Sequence, residues 1–145
     1  MAVSAKYYGK FFTSAFTKKV DLSADTIKVM LCTSSYTPDQ DTHDFKDDVT
    51  NEVTGTGYSA GGATLSSPTL TYTGGTNTLA FDGGDVSWAG STLTARYAVV
   101  YDSTPGTDAT RPLIMYVDFG ADVSTTAGTL TITWDSAGLA SVTVA

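Results

Sequence analysis

Cysteine, histidine and glutamate each occur once in the 145-residue chain, as Cys32, His43 and Glu52, and Lys and Arg together number only eight. One cysteine permits no intrachain disulfide, so a packed core has to hold the fold. His43 alone cannot build a transition-metal site, and no second His or Cys is present to complete a zinc centre. Fifteen acids against eight bases give a net charge of −7 and a pI near 4.3, which repels a nucleic-acid backbone over most of the surface. No apolar run approaches the roughly 18 residues of a membrane span. The N-terminus runs through Met1-Ala2-Val3-Ser4-Ala5-Lys6 directly into Tyr7-Tyr8, without the roughly 7–15 apolar residues of a secretory signal, so no signal peptide is expected.

What is present is 26 Thr, 14 Ser and 14 Gly, with 11% aromatic residues. Thr, Tyr and Val suit half-buried pleated positions and Gly suits turns, whereas helices draw on Ala, Leu, Glu and Lys. The composition predicts a mainly β chain. With 41% hydrophobic and 16% charged residues it can bury a core, and 145 residues make one domain, 1–145. Charge is uneven: all six Lys stand within residues 1–46 against five Asp, and residues 47–145 carry two Arg against ten acids.

Residues 5–19 place Ala5, Tyr8, Phe12 and Phe16 three and four apart, with Phe11 and Tyr7 beside the stripe. This spacing predicts an amphipathic N-terminal helix, either capping the sheet core or acting as an arm on a neighbouring subunit. Ile27, Val29 and Leu31 alternate with polar residues over 25–33, a strand holding Cys32. From 34 to 62 the chain turns polar, with Pro38 and five Asp between 39 and 48. A loop of that length is commonly a contact element, and a short helical turn near 42–49 within an exposed acidic loop is expected. Strands are then predicted at 63–66, 69–73, 78–81, 85–88, 92–101, 113–119, 129–134 and 140–144, the last two as a hairpin. Short strands with Gly-rich turns at close spacing predict an antiparallel β-sandwich or small barrel.

Gly57-Tyr58-Ser59-Ala60-Gly61 matches the nucleophile turn of α/β-hydrolases. That turn needs a following helix and a downstream histidine, whereas here strand-like residues follow and His43 lies upstream. Asp39-Gln40-Asp41-Thr42-His43-Asp44 opens like a calcium loop but has Asp44 where the turn Gly belongs and Thr50 where a bidentate Glu belongs. Glu52 and Asp118 are candidates for a glycosidase carboxylate pair, with nothing in the sequence linking them. Tyr36, Tyr58, Tyr72 and Trp88 could line a sugar face, though aromatics at alternating strand positions are usually core. No catalytic residue, metal or cofactor is assigned, and an enzyme is not expected.

Several segments together resemble a family of small virion structural proteins of tailed bacteriophages: 8–12 (YGKFF), 26–31 (TIKVML), 35–45 (SYTPDQDTHDF), 55–58 (GTGY), 95–101 (ARYAVVY) and 113–120 (LIMYVDFG). The resemblance spans nearly the whole chain. It implies a head decoration or cement protein, bound outside the capsid and bridging subunits of the major capsid protein, with trimers at local three-fold positions and localisation in the virion. Many weak contacts per particle would give such a protein its affinity. The contact elements expected for this role are Lys6, Tyr7, Tyr8, Lys10, Phe11 and Phe12, with Tyr36, Asp39, Asp41, His43 and Phe45 in the long loop. The alternatives are a tail-tube or connector subunit and a fibre-associated adhesin for host glycan. Neither nucleic acid nor membrane is an expected partner.

Overall fold

The computed structural model describes residues 2–145. In chain order its elements are β1 (Ser4–Tyr7), α1 (Gly9–Phe16), β2 (Ile27–Cys32), β3 (Ala63–Thr64), β4 (Thr69–Thr73), β5 (Thr78–Asp82), β6 (Val86–Asp102), β7 (Leu113–Ile132) and β8 (Ala140–Thr143), with 3-10 turns at Lys46–Asp48 and Asp108–Thr110. The strands form two antiparallel sheets, one of five strands in the order β1-β7-β6-β2-β3 and one of three in the order β4-β5-β8. The fold is mainly β and sandwich-like with a single α-helix, the class that the composition predicts.

The frame is the β6–β7 hairpin, which absorbs four of the predicted short strands into two long ones. Its length is made possible by irregularities that let the ribbon bend. Between Val100↔Met115 and Tyr101↔Leu113 the second strand carries Ile114 as an extra residue, so Ile114 and Met115 both reach the same core. Between Ala95↔Val123 and Tyr97↔Asp118, residues 95–97 stand against 118–123, and the excess backbone turns at Gly120 with φ 80°. Asp118 fastens this bend, its Oδ1 accepting from Gly120 N–H at 2.8 Å and from Arg96 Nε at 2.7 Å. Residues 120–128 look like a loop in sequence because this part of β7 is largely exposed and polar.

The five-stranded sheet buries side chains on both faces. Ile27, Val29, Leu31, Ala98, Val100 and Val117 line the inner face and join Phe81 of the second sheet and Leu139, which precedes β8. Met30, Cys32, Val99, Tyr101 and Leu113 line the outer face, where Tyr8 and Tyr36 complete a second cluster. The long segment 34–62 covers this outer face with its first part, through Tyr36 and Val49, and sends Val53 and Tyr58 into the inner core. It is tied to the sheet by Val53 N–H to Leu31 O (2.9 Å), Lys46 N–H to Arg111 O (2.9 Å) and Leu113 N–H to Asp44 O (2.9 Å). It is therefore a strapped covering and not the free acidic loop its composition suggests; the expected helical turn falls at Lys46–Asp48. The strap returns to β3 through Gly62, whose φ of +79° and close approach to the Val29 carbonyl leave no room for a Cβ.

The N-terminal region departs from expectation. Residues 4–7 are a strand paired with β7 (Ser4↔Asp118 to Tyr7↔Met115), and the helix begins only at Gly9. The predicted stripe was phased from Ala5 and Tyr8, neither of which is helical, so the buried side is Phe11 and Ser14, while Phe16 is 86% exposed. Lys19 N–H to Ser14 O (2.9 Å) and Lys18 N–H to Ala15 O (3.2 Å) close the helix with Lys18 at φ 62°, a Schellman arrangement that ends it before residue 19. The predicted hairpin of 129–134 with 140–144 does not form either: β8 pairs with β5, as in Phe81↔Ala140 and Leu79↔Val142. Leu139 is buried in the inner core just before β8, and that anchor carries the chain across to the second sheet.

Candidate partner-binding face

The two segments expected to make contacts are brought together by the fold. Gly9 N–H donates to Gln40 O at 2.9 Å, which caps α1 from the loop in place of a side-chain cap. The Lys10 ammonium donates to Thr42 O at 2.9 Å and lies 3.5 Å from Asp44 Oδ2. Below them, the Tyr8 and Tyr36 hydroxyls are 2.8 Å apart, and Tyr36 Oη lies 3.0 Å from His43 Nδ1. The Lys19 ammonium lies 5.3 Å from the Phe45 ring centroid. Residues 6–12 and 36–45 thus form one continuous patch.

Burial divides the expected contact residues into two groups. Tyr8, Phe11 and Tyr36 are buried, so they shape the patch from beneath and are corrected here from contact residues to core residues. Desolvation, aided by their mutual proximity, raises the Tyr8 phenol far above its ordinary range; desolvation likewise raises Tyr36. Both remain neutral hydrogen-bonding groups. Lys6, Lys10, Asp39 and Asp41 are exposed, and Tyr7, Phe12, His43 and Phe45 are half-buried. Tyr7 stacks on Phe11 with ring centroids 5.7 Å apart and the planes 4° from parallel. The Asp39 carboxylate accepts from Asp41 N–H (2.9 Å) and Thr42 N–H (3.0 Å), and its hydrogen bonds with Thr42 and Asp41 hold it below the usual carboxylate range. Asp39 fixes the loop's own turn, a role that explains the calcium-like spacing without an ion.

At the β1 end of the patch, on the inner side of the five-stranded sheet, lies a feature that sequence reasoning missed. An open apolar groove of about 610 Å³ runs between β1 and the far half of β7, lined by Val3, Val117, Phe119, Leu130, Ile132 and Trp134. Val3 and Val123, at its rim, are 65% and 40% exposed. Its signal in sequence is divided among three separate segments, and only the bend at Gly120 brings them to one concavity. β1, which contributes Ser4 and Ala5 to the groove, is also the outer strand of the five-stranded sheet among the described residues.

The other chemical candidates become structural groups. Ser59 is exposed in a turn closed by Gly62 N–H to Ser59 O (3.0 Å), with His43 engaged elsewhere by Tyr36. Glu52 Oε1 accepts from Tyr58 Oη at 2.7 Å and from Gly61 N–H at 2.6 Å, and Asp118 pairs with Arg96. Of the four aromatics considered for a sugar face, Tyr36 and Trp88 are buried, Tyr58 is half-buried, and only Tyr72 is exposed. Among the described residues no three His, Cys, Asp or Glu side chains cluster as metal ligands, and no helix is long and apolar enough to cross a membrane. Comparison with protein-family models, curated proteins and solved structures finds no match to the chain.

Proposed function

We propose that the protein is a virion structural protein of a tailed bacteriophage, and within that class a head decoration protein that binds the outer surface of the capsid. The observation that carries this reading is the joining of 8–12 and 35–45, two of the segments that carry the family resemblance, into one patch whose β1 end adjoins an open apolar groove. Such a surface suits a partner that supplies an apolar side chain to the groove and polar contacts to Lys6, Lys10, Asp39 and Asp41. An apolar groove with the charged residues Lys6, Lys10, Asp39 and Asp41 outside it matches the anatomy of a protein interface, an apolar centre within a polar rim. The major capsid protein is the proposed partner, and subunit bridging is the proposed effect.

The test is cosedimentation of purified protein with heads stripped of it, followed by imaging of the particle. Density at repeated positions over the shell is expected. Val123→Asp, at the exposed groove rim, is expected to weaken rebinding at least tenfold while leaving the melting temperature unchanged. Density confined to the tail, or no rebinding of the unaltered protein to heads, would replace this reading with the tail-component one.

A further inference from the structure

The three-stranded sheet has two unlike faces. Its register aligns Leu70 with Phe81 and Ala140, and Tyr72 with Leu79 and Val142, so these six side chains share one face and the threonines of β4 share the other. Phe81 is buried against the main core, but Leu70 and Tyr72 are 43% and 54% exposed. All five residues of β4 are exposed, and this strand is the outer one of its sheet, with β5 on one side and no strand on the other among the described residues. Edge strands in natural proteins are commonly protected by charges that oppose pairing. Here no charged residue occurs between Glu52 and Asp82.

We propose that β4 is a self-association edge, pairing antiparallel with β4 of a second copy about a two-fold axis through Thr71. The sequence Thr69-Leu70-Thr71-Tyr72-Thr73 has the same alternation read in either direction. Centred on Thr71, antiparallel pairing sets Leu70 opposite Tyr72 of the second copy and Tyr72 opposite Leu70 of the second copy, on the shared apolar face. Thr71 meets its own equivalent on the polar face. Aliphatic–aromatic cross-strand pairs of this kind are favourable, and backbone groups left open at the edge gain partners. The net charge of −7 on each copy opposes association in general, and an edge without charged residues is where that opposition is least. The contact is isologous and closes at two copies, so it accounts for a dimer and not for a ring or trimer. It lies on strands other than those of the partner-binding face and stands whether or not that face binds a capsid.

Sedimentation velocity on the whole protein from about 1 µM to 1 mM, a range spanning weak to moderate affinities, reads the association directly. A concentration-dependent monomer–dimer equilibrium is expected. Thr71→Lys and Thr71→Glu each place like charges directly opposite one another and are expected to weaken the dimer at least tenfold, while an equimolar mixture of the two restores it. Tyr72→Ser removes both cross-strand aromatic contacts and weakens the dimer similarly. A protein that stays monomeric throughout the range, variants that associate like the unaltered chain, or a charge-swapped mixture that remains monomeric would each overturn the proposal.

Discussion

Asp102 is the residue whose environment carries the clearest consequence. It ends β6 fully buried, its Oδ1 accepting from Thr104 N–H at 2.8 Å and its Oδ2 without a donor. Burial first, and then the proximity of the Asp25 carboxyl, push its carboxyl up to about 6 against the lowering effect of the Thr104 hydrogen bond. A raised carboxyl contributes stability that is full below its unfolded value near 4 and is lost as pH rises through about 6. Asp102→Asn keeps the acceptor for Thr104 and supplies a permanent donor toward Asp25. Its melting temperature is expected to match the unaltered protein at pH 4 and exceed it at pH 8. The gain should be on the order of 1–2 kcal/mol, discounted from the full linkage value because Asp25 is partly solvated. Equal differences at both pH values would show that the Asp102 carboxyl titrates alike in the folded and unfolded chain. The flanking sequence Val99-Val100-Tyr101-Asp102 marks a strand end, but the pairing with Asp25 arises only where β2 and β6 run side by side.

At the scale of the element, α1 shows how a correct periodicity can carry the wrong phase. Aromatics spaced by three and four indicate a helix, yet the backbone pairing of residues 4–7 with β7 takes the first predicted turn away and sets the rotation of what remains. Phe11 then faces the core and Phe16 faces solvent. The helix also ends on a lysine in the left-handed region, where a side chain costs about 1 kcal/mol relative to glycine. Lys18→Gly is therefore expected to stabilise the protein by about 0.5 kcal/mol, after the greater freedom that glycine gives the unfolded chain is subtracted. Chemical denaturation at neutral pH checks this, and a loss of stability would mean that the Lys18 side chain makes a contact worth more than the strain.

At the scale of the molecule, charge and core oppose each other. Four ion pairs occur among the described residues, all at partly exposed positions where each contributes little. The net charge of −7 acts on the whole body and favours expansion. Raising ionic strength from about 10 mM to 150 mM shortens the Debye length from about 30 Å to 8 Å and should raise the melting temperature by a few degrees. A fall would mean that the ion pairs at Asp108, which Lys46 and Arg111 share at 2.8 Å each, outweigh the global repulsion.

Fold class and most strand positions were legible along the chain, because alternation of apolar residues and Gly-rich turns are local signals. Ile27, Val29 and Leu31 needed no partner to announce a strand, and Cys32 needed none to be placed in a core. Every feature that depends on which distant segments meet came from packing instead. The union of 85–88 with 92–101, and of 113–119 with 129–134, required each strand of the long hairpin to find its complement across irregular register. The transfer of β8 to the second sheet followed from the anchoring of Leu139, not from its proximity to β7. Tyr8 and Tyr36 became core because the first part of the strap, with Tyr36 and Val49, closes over the outer face, and the apolar groove exists because β7 bends at Gly120. Local pattern fixes how a segment is built, whereas the side it presents depends on burial against segments far along the chain.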